Sequence, residues 1–159
     1  MSTAAEKPMQ LTLDPEMVQW PETHYVFIEK HGSFQTTAPQ AWTELHSLTG
    51  AIAEHNTITG YTSLYKMEPP VYRAGVSVAA RPEKLPAGVT YETFAGGKYA
   101  RFVLTGSYAQ LGPATGRVIE MVRERGLALR DDWHIENYVN DPRVTPEEQL
   151  ITHILFPAA

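Results

Sequence analysis

The segment WHIENYV, residues 133–139, carries a carboxylate and a phenol two positions apart. Side chains alternate between the two faces of a β-strand, so His134, Glu136 and Tyr138 would share one face of a strand here. A carboxylate among aromatic rings loses hydration, which raises its pKa unless a cation or hydrogen-bond donors compensate. As an anion it could attract a lipophilic cation, with about 0.5–2 kcal/mol of attraction from each ring. As a base it could direct a water molecule at an electrophile.

Other kinds of catalytic or metal site have no support in the sequence. The chain has no cysteine, which excludes disulfides, thiolate zinc sites and cysteine nucleophiles. The six histidines never stand four positions apart, and neither a G-x-S-x-G elbow nor a phosphate-binding glycine loop occurs. We therefore expect no metal and no cofactor. Haem would require an axial ligand such as His134 directed into a groove.

Composition limits the class of protein further. A chain of 159 residues with 43% hydrophobic and 19% charged side chains can bury a sizeable core. A net charge of -5 argues against nucleic acid, because binding to phosphates needs a basic surface. We find no apolar run of the roughly 20 residues that span a bilayer, and no secretion signal at the N-terminus. The expectation is a cytoplasmic protein that contacts neither membrane nor nucleic acid directly.

The sequence also contains an internal repeat. HYVFIEKHGSF (24–34) and KYARFVLTGSY (98–108) align with tyrosine, glycine, serine and a final aromatic residue in register, at an offset of 74 (99 minus 25). Further along, YKMEPP (65–70) aligns with YVNDPR (138–143) at an offset of 73 (138 minus 65). These matches keep register at positions with distinct structural roles. They predict a tandem duplication.

Each half of the repeat reads as strand, helix, strand, strand. An amphipathic segment follows the glycine and serine in both halves, and β-forming segments flank an acid-proline step that favours a hairpin connection. Gly126 would stop the second helix. The apolar helix faces would carry Ala41, Leu45, Leu48 and Ile52 in the first half, and Val118, Met121, Val122 and Arg125 in the second.

Residues 96–158 resemble the GyrI-like small-molecule-binding domain, also called the AraC-type effector-binding domain. The resemblance is most specific at Glu136, Tyr138, Asn140, Asp141 and Pro142, then at Thr145, Pro146, Glu147 and Glu148 before a closing apolar strand. HGSF (31–34) and YRAGVSV (72–78) fit the same family more loosely. Thr145 and Pro146 would start a short helical turn, as its cap and first residue.

The resemblance implies an α+β fold. Two pseudo-symmetric strand-helix-strand-strand modules would form a curved antiparallel sheet, with two helices on one face and a ligand groove on the other. The repeat then places Ser63 opposite Glu136 and Tyr65 opposite Tyr138, and Met67 on the same face. The candidate ligand-binding residues are Glu136, Tyr138, Tyr65, Met67, His134 and Ser63. Trp42 and Trp133 are expected to be packing residues.

The resemblance leaves three functions open. The first is binding of a bulky lipophilic molecule, aromatic or cationic, by a sequestering, resistance or sensor protein. The second is hydrolysis of strained cyclopropane-bearing toxins, with Glu136 as the catalytic residue that activates water. The third is a protein-interaction module of the gyrase-inhibitor type, with a protein partner of unknown identity.

The expected domain organisation follows the repeat. Residues 1–20 form an N-terminal extension, and residues 21–159 form a single effector-binding domain. Within that domain the modules span 21–80 and 97–158. Residues 81–96 form a linker rich in proline and glycine.

Overall fold

The computed structural model describes residues 9–159, which form one nine-stranded antiparallel sheet and two α-helices. The strands are β1 (Gln10–Leu11), β2 (Glu16–Trp20), β3 (Thr23–His31), β4 (Ile58–Met67), β5 (Pro70–Val78), β6 (Thr90–Phe94), β7 (Gly97–Thr105), β8 (His134–Tyr138) and β9 (Ile151–Pro157). The helices are α1 (Phe34–Ala53) and α2 (Leu111–Glu124). The predicted α+β class is confirmed.

The duplication is visible in the topology. The first module is β3-α1-β4-β5 and the second is β7-α2-β8-β9, and the sheet order is β1-β7-β9-β8-β4-β5-β3-β6, with β2 also paired to β7. The modules meet where β4 pairs with β8, and Ser63 lies opposite Glu136 at the centre of that ladder. The centre of the molecule is therefore a strand pair made of two copies of the same element.

The repeated glycine and serine start each helical segment. Gly32 and Gly106 have φ of +121° and +133°, a region that favours glycine. In each module the serine after this glycine is the residue that precedes the helical segment. Ser33 precedes α1. The Ser107 side chain accepts a 3.1 Å hydrogen bond from the Ala109 amide at the turn that leads into α2. This local geometry explains why both residue types recur.

Both helices pack on the same face of the sheet. α1 buries Thr37, Ala41, Leu45 and Ile52, and α2 buries Ala114, Val118, Met121 and Val122. The side chain of Met67, at the end of β4, packs against the apolar clusters of both modules. Leu48 is only half-buried.

Arg125, at the end of α2, was predicted to lie on the apolar face of the helix, and this prediction is wrong. Arg125 does not extend the buried face; it caps the helix, is exposed and forms a 2.5 Å ion pair with Asp14. Gly126, with φ of +62°, follows it and ends the helix as predicted.

The other face of the sheet encloses its own apolar cluster. Its buried residues are Tyr25, Phe27, Leu64, Phe94, Tyr99, Ile135 and Leu155, with Val18, Trp20 and Trp133 packed against them. No α-helix packs on this face among the described residues. Phe94 of β6 belongs to this cluster, and Val18 and Trp20 of β2 pack against it, so strands near the two ends of the sheet contribute to it.

Three strands lie outside the two modules. β6 falls within the segment expected to be a linker and pairs with β3, while β1 and β2 fall within the expected N-terminal extension and pair with β7. Near the C-terminus, the short helical turn spans Glu147–Gln149, so Pro146 rather than Thr145 precedes it, without a side-chain capping bond. Across the described range, neither helix combines the length and apolarity needed to cross a membrane.

Candidate functional site

The candidate residues lie together on the centre of the sheet. In the β4–β8 ladder, Tyr65 lies opposite His134 and Tyr61 opposite Tyr138, because the two strands run antiparallel about Ser63 and Glu136. Tyr65 and Tyr138 are therefore equivalent by the repeat but are not neighbours across the ladder. The expectation that Tyr65 lies opposite Tyr138 is therefore wrong, because Tyr65 pairs with His134.

These side chains point to the face that carries the helices. Trp42 of α1 meets the ring of Tyr138 edge-on, with the centroids 5.4 Å apart, and Phe34 of α1 meets Tyr65 at 5.6 Å. Tyr108, at the start of the second helical segment, meets Tyr138 at 5.5 Å from the other side. We expected the groove on the face opposite the helices. The candidate residues lie on the helix-side face, with the sheet beneath them and with Phe34, Trp42 and Tyr108 beside them.

A chain of hydrogen bonds crosses the floor and ends on the carboxylate. The Trp42 indole donates to the Tyr72 hydroxyl at 2.7 Å, and the Tyr72 hydroxyl is 2.6 Å from Ser63 Oγ. Ser63 Oγ is 2.7 Å from the Tyr138 hydroxyl, which donates to Glu136 Oε1 at 2.7 Å. An indole can only donate and an ionised carboxylate can only accept, so these two ends orient every hydroxyl between them.

Glu136 is held without a cationic partner. The side chain is half-buried, and its desolvation raises the pKa of the carboxyl group, an effect that the hydrogen bond from Tyr138 partly offsets. No ion pair within residues 9–159 involves Glu136. The site thus combines a negative charge with a low-dielectric surrounding, and it offers electrostatic stabilisation to a cation placed beside it.

The tyrosines of the floor stay neutral at physiological pH. Burial, reinforced by the Glu136 charge, raises the pKa of the hydroxyls of Tyr72 and Tyr138 above the ordinary value of 10.0. They act as hydrogen-bonding groups and as π surfaces rather than as charges.

The other end of the floor is formed by Tyr65 and His134. The rings of Tyr65 and His134 stack with their centroids 5.2 Å apart, and Phe156 meets His134 edge-on at 4.6 Å. Burial lowers the pKa of the His134 imidazole below the ordinary 6.5, so the ring is neutral at pH 7. Met67 is half-buried near this end.

Sequence reasoning missed three residues of the site. Tyr72 was not considered, although the tight β4–β5 hairpin places it opposite Tyr65 and so on the same face. Trp42 packs against the core of the first module, as expected, but its contact with Tyr138 was not predicted. Tyr108 was noted only in the repeat and in support of the family resemblance. The signal for Tyr72 was available in the hairpin register; those for Trp42 and Tyr108 depend on how the helices are placed over the sheet.

Two shallow depressions lie on the opposite face. One, of about 200 Å³, is lined by residues that include Arg73, Glu92 and Trp133. The other, of about 400 Å³, is lined by Trp20, Thr59 and Asn137 among others. The Arg73 guanidinium in the first is already neutralised by Glu29 and Glu92, at 2.8 and 2.7 Å. We favour the helix-side face as the site because the desolvated Glu136 carboxylate there lacks a counter-ion within residues 9–159.

The comparison with protein families agrees with this architecture. The family model described as "GyrI-like small molecule binding domain" matches residues 13–159. The chain belongs to this GyrI-like family. No curated protein matches the sequence significantly.

Solved structures share the GyrI-like fold at low sequence identity. The C-terminal domain of EcmrR superposes with a TM-score of 0.75 at 13% identity, covering 96% of this chain and 99% of that one. SAV2435 bound to tetraphenylphosphonium has a TM-score of 0.68 at 16% identity, covering 92% and 94%. A hydrolase from Listeria innocua has a TM-score of 0.60 at 13% identity, covering 93% of each chain.

Proposed function

We propose that this GyrI-like domain binds bulky lipophilic aromatic cations in the groove between α1 and α2, with Glu136 neutralising their charge. The observation that carries the proposal is the half-buried Glu136 carboxylate, which has a tyrosine donor but no cationic side chain paired with it in the part of the chain that the structure describes. A desolvated carboxylate without a counter-ion is unfavourable for the empty protein, and an incoming cation relieves that cost.

The rings around the carboxylate suit such a ligand. Trp42, Tyr108 and Tyr138 meet edge-on around one end of the floor, and each is only half-buried, so part of each ring is accessible to a guest. Each ring in cation–π contact would add about 0.5–2 kcal/mol. A delocalised organic cation loses less hydration free energy on entry than a compact ammonium group, which favours large aromatic cations over small ones.

One structural neighbour supports the ligand class. SAV2435 shares the fold and was solved with tetraphenylphosphonium, a bulky aromatic cation. At 16% identity the likeness concerns the fold, so for this chain the ligand class rests on Glu136 and its aromatic neighbours. The cellular role would be sequestration, resistance or sensing, in a cytoplasmic setting. A sensor role needs a partner or another domain for DNA contact, because a net charge of -5 disfavours phosphate binding by this domain.

Hydrolysis is the second candidate. The raised pKa of Glu136 brings the carboxyl group closer to the range useful for a general base, and the Tyr138 hydroxyl fixes its orientation at 2.7 Å. A neighbour with this fold is described as a hydrolase. In this mechanism Glu136 would accept a proton from water as the water oxygen bonds to one ring carbon and a ring C–C bond breaks. The electron pair of that bond passes to the electron-poor part of the substrate, which takes up the proton from Glu136, so that one water molecule is added overall. The ligand-binding groups would be the same.

One experiment separates binding from catalysis. The protein, its Glu136→Gln variant and the exposed control Glu148→Gln are incubated with lipophilic cations and with cyclopropane-bearing electrophiles, and mass spectrometry follows free, bound and water-added species. Retention of cations without conversion, lost only in Glu136→Gln, is the result expected for a binding protein. Water addition that depends on Glu136 would make it an enzyme, and no dependence on Glu136 would refute both. The gyrase-inhibitor alternative stays a prediction that co-purification with gyrase tests.

A further inference from the structure

The two halves of the repeat carry different residues at the centre of the sheet. Ser63 of β4 is the equivalent of Glu136 of β8 at the offset of 73 (136 minus 63), and the two residues lie opposite each other in the β4–β8 ladder. Only one of them can carry a charge. The first module therefore contributes a hydroxyl where the second module contributes a carboxylate.

The hydrogen bonds of the first module all point toward that carboxylate. The Trp42 indole can only donate, and it donates to the Tyr72 oxygen at 2.7 Å, so the Tyr72 hydroxyl is left to donate to Ser63 Oγ at 2.6 Å. The Ser63 hydroxyl then donates to the Tyr138 oxygen at 2.7 Å. The Tyr138 hydroxyl is thereby directed to Glu136 Oε1, also at 2.7 Å. Three donors in a row stand behind the bond that reaches the carboxylate.

Ser63 and Tyr72, the middle members of this chain, are enclosed by the protein. Ser63 is 0% exposed and Tyr72 is 6% exposed, whereas Tyr138 and Glu136 are only half-buried. Ser63 is a candidate ligand-binding residue from the sequence, but its side chain has no exposed surface with which to touch a ligand. Its effect on a ligand would pass through Tyr138 and Glu136.

The ionisable groups around Glu136 form no ion pair with it within residues 9–159. From the sheet these groups are Tyr65, Tyr72, Tyr138 and His134, and from the helical segments they are His46 beside Trp42 and Tyr108 beside Tyr138. Burial raises the pKa of the three sheet tyrosines and lowers the pKa of the His134 imidazole, so all four are neutral at physiological pH. Donation by Tyr138 is the interaction that favours the ionised form of Glu136.

We propose that Ser63 and Tyr72 are positioning residues, which hold the Tyr138 hydroxyl donated to Glu136 and so keep the carboxylate ionised for an incoming cation. Hydrogen bonds in a chain polarise one another, so each donor behind Tyr138 strengthens the last bond. The first module, which has no carboxylate of its own at this position, thereby stabilises the charge of the second. The consequence for ligands rests on the proposed function.

The direct test is a titration of the Glu136 carboxyl group by carbon-13 NMR, with its resonance assigned by the loss of that signal in Glu136→Gln. Reinforcement of a charged hydrogen bond by about 10–30% per bond predicts that Ser63→Ala raises the pKa of Glu136 by about 0.2–0.6 pH unit. Tyr72→Phe, one bond further away, should raise it by less. No rise in either variant would overturn the inference, and so would a larger rise in Tyr72→Phe than in Ser63→Ala.

Tyr25→Phe is the matched control. It also removes a buried hydroxyl, one that donates to the Thr62 carbonyl at 2.7 Å, but Tyr25 belongs to the apolar cluster on the opposite face of the sheet. Urea unfolding should show a loss of stability comparable to that of Tyr72→Phe, while the titration of Glu136 should stay as in wild type. An equal rise in the pKa of Glu136 in this control would attribute the effect to general loosening and would contradict the chain.

Binding of tetraphenylphosphonium against pH gives the ligand readout. The pH at which half of the affinity is lost should move upward in Ser63→Ala and Tyr72→Phe by the amount that NMR measures, while the affinity well above that pH stays within about twofold of wild type. A midpoint that stays in place while the pKa of Glu136 moves would contradict the link to binding. Failure of the proposed function looks different: tetraphenylphosphonium binding would not depend on Glu136, and the NMR titration would still decide the role of Ser63 and Tyr72.

Discussion

Replacing Glu136 with glutamine should remove most of the affinity for aromatic cations. The variant keeps the shape of the side chain and an oxygen that can accept from the Tyr138 hydroxyl, so the hydrogen-bond chain from Trp42 survives. What it removes is the negative charge. The change therefore isolates the electrostatic contribution of one carboxylate.

The expected loss of binding free energy follows from the distance between the two charges. A cation centre about 5 Å from the carboxylate, at an effective dielectric constant of about 20, gains about 3 kcal/mol of Coulomb energy. Because Glu136 is half-buried and partly screened, we expect a loss of about 2 to 3 kcal/mol. That loss corresponds to roughly 30- to 150-fold weaker binding.

The assay is calorimetric titration with tetraphenylphosphonium and with neutral triphenylphosphine oxide, on wild type, Glu136→Gln and the exposed control Glu148→Gln. Only the cation should lose affinity, and only in Glu136→Gln. A cation affinity within threefold of wild type would refute the electrostatic account. An equal loss for the neutral compound would instead mean that the variant changes the shape of the groove.

Three further results are expected. Because burial raises the pKa of Glu136, cation affinity should fall as the pH is lowered through that raised value; titration calorimetry against pH checks this, and the dependence should be absent in Glu136→Gln. In the empty protein the contribution of Glu136 to stability has the opposite sign: it is fully present below the ordinary carboxyl pKa of 4.5 and is lost as the pH rises through the raised value. Urea unfolding of wild type and Glu136→Gln against pH isolates this contribution as their difference, because a carboxylate with a lowered pKa, such as Glu29, changes stability in the other direction in both proteins. Tyr138→Phe leaves Glu136 without its donor and interrupts the chain from Ser63, which should cost about 1–3 kcal/mol in urea unfolding and weaken cation binding; an unchanged unfolding midpoint would contradict the assigned network. Gly75→Ala places a Cβ into the ring of the buried Tyr25 and should destabilise the protein by about 1–3 kcal/mol in thermal unfolding. Gly50→Ala, in open space on α1, should be neutral or stabilising by up to about 1 kcal/mol. The reverse order of stability would contradict the packing of Tyr25 against Gly75.

The repeat made much of the fold predictable from the sequence. Glycine, serine and tyrosine in register define two copies of one module, and their symmetry predicts Ser63 opposite Glu136, a pairing that the β4–β8 ladder has. The tyrosine-acid-proline step at Glu68 and Pro69 marked a tight hairpin, which the structure has between β4 and β5. At Asp141 and Pro142 the connection from β8 to β9 is much longer.

The side of the sheet that carries the groove was not predictable in the same way. Strand alternation shows which side chains share a face, but both faces of β4 and β8 are largely enclosed: Leu64 and Ile135 on one side are as buried as Ser63 on the other. Alternation alone therefore cannot assign the helices to a face. The contact of Trp42 with Tyr138 was not predictable for the same reason, because it depends on where α1 lies.

The strands outside the repeat escaped detection for a different reason. β6 has only five residues and lies in a segment whose prolines and glycines indicate a linker. Its pairing with β3 is a long-range contact that local propensity does not encode. β1 has only two residues, too few for any periodic pattern.

The position of a bound cation is the most direct test of this account. A crystal structure of the protein with tetraphenylphosphonium should place the phosphorus atom between α1 and α2, within about 6 Å of the Glu136 carboxylate and of an aromatic ring of the groove. Phosphonium bound on the opposite face, for example in the depression beside Arg73 and Trp133, would contradict it.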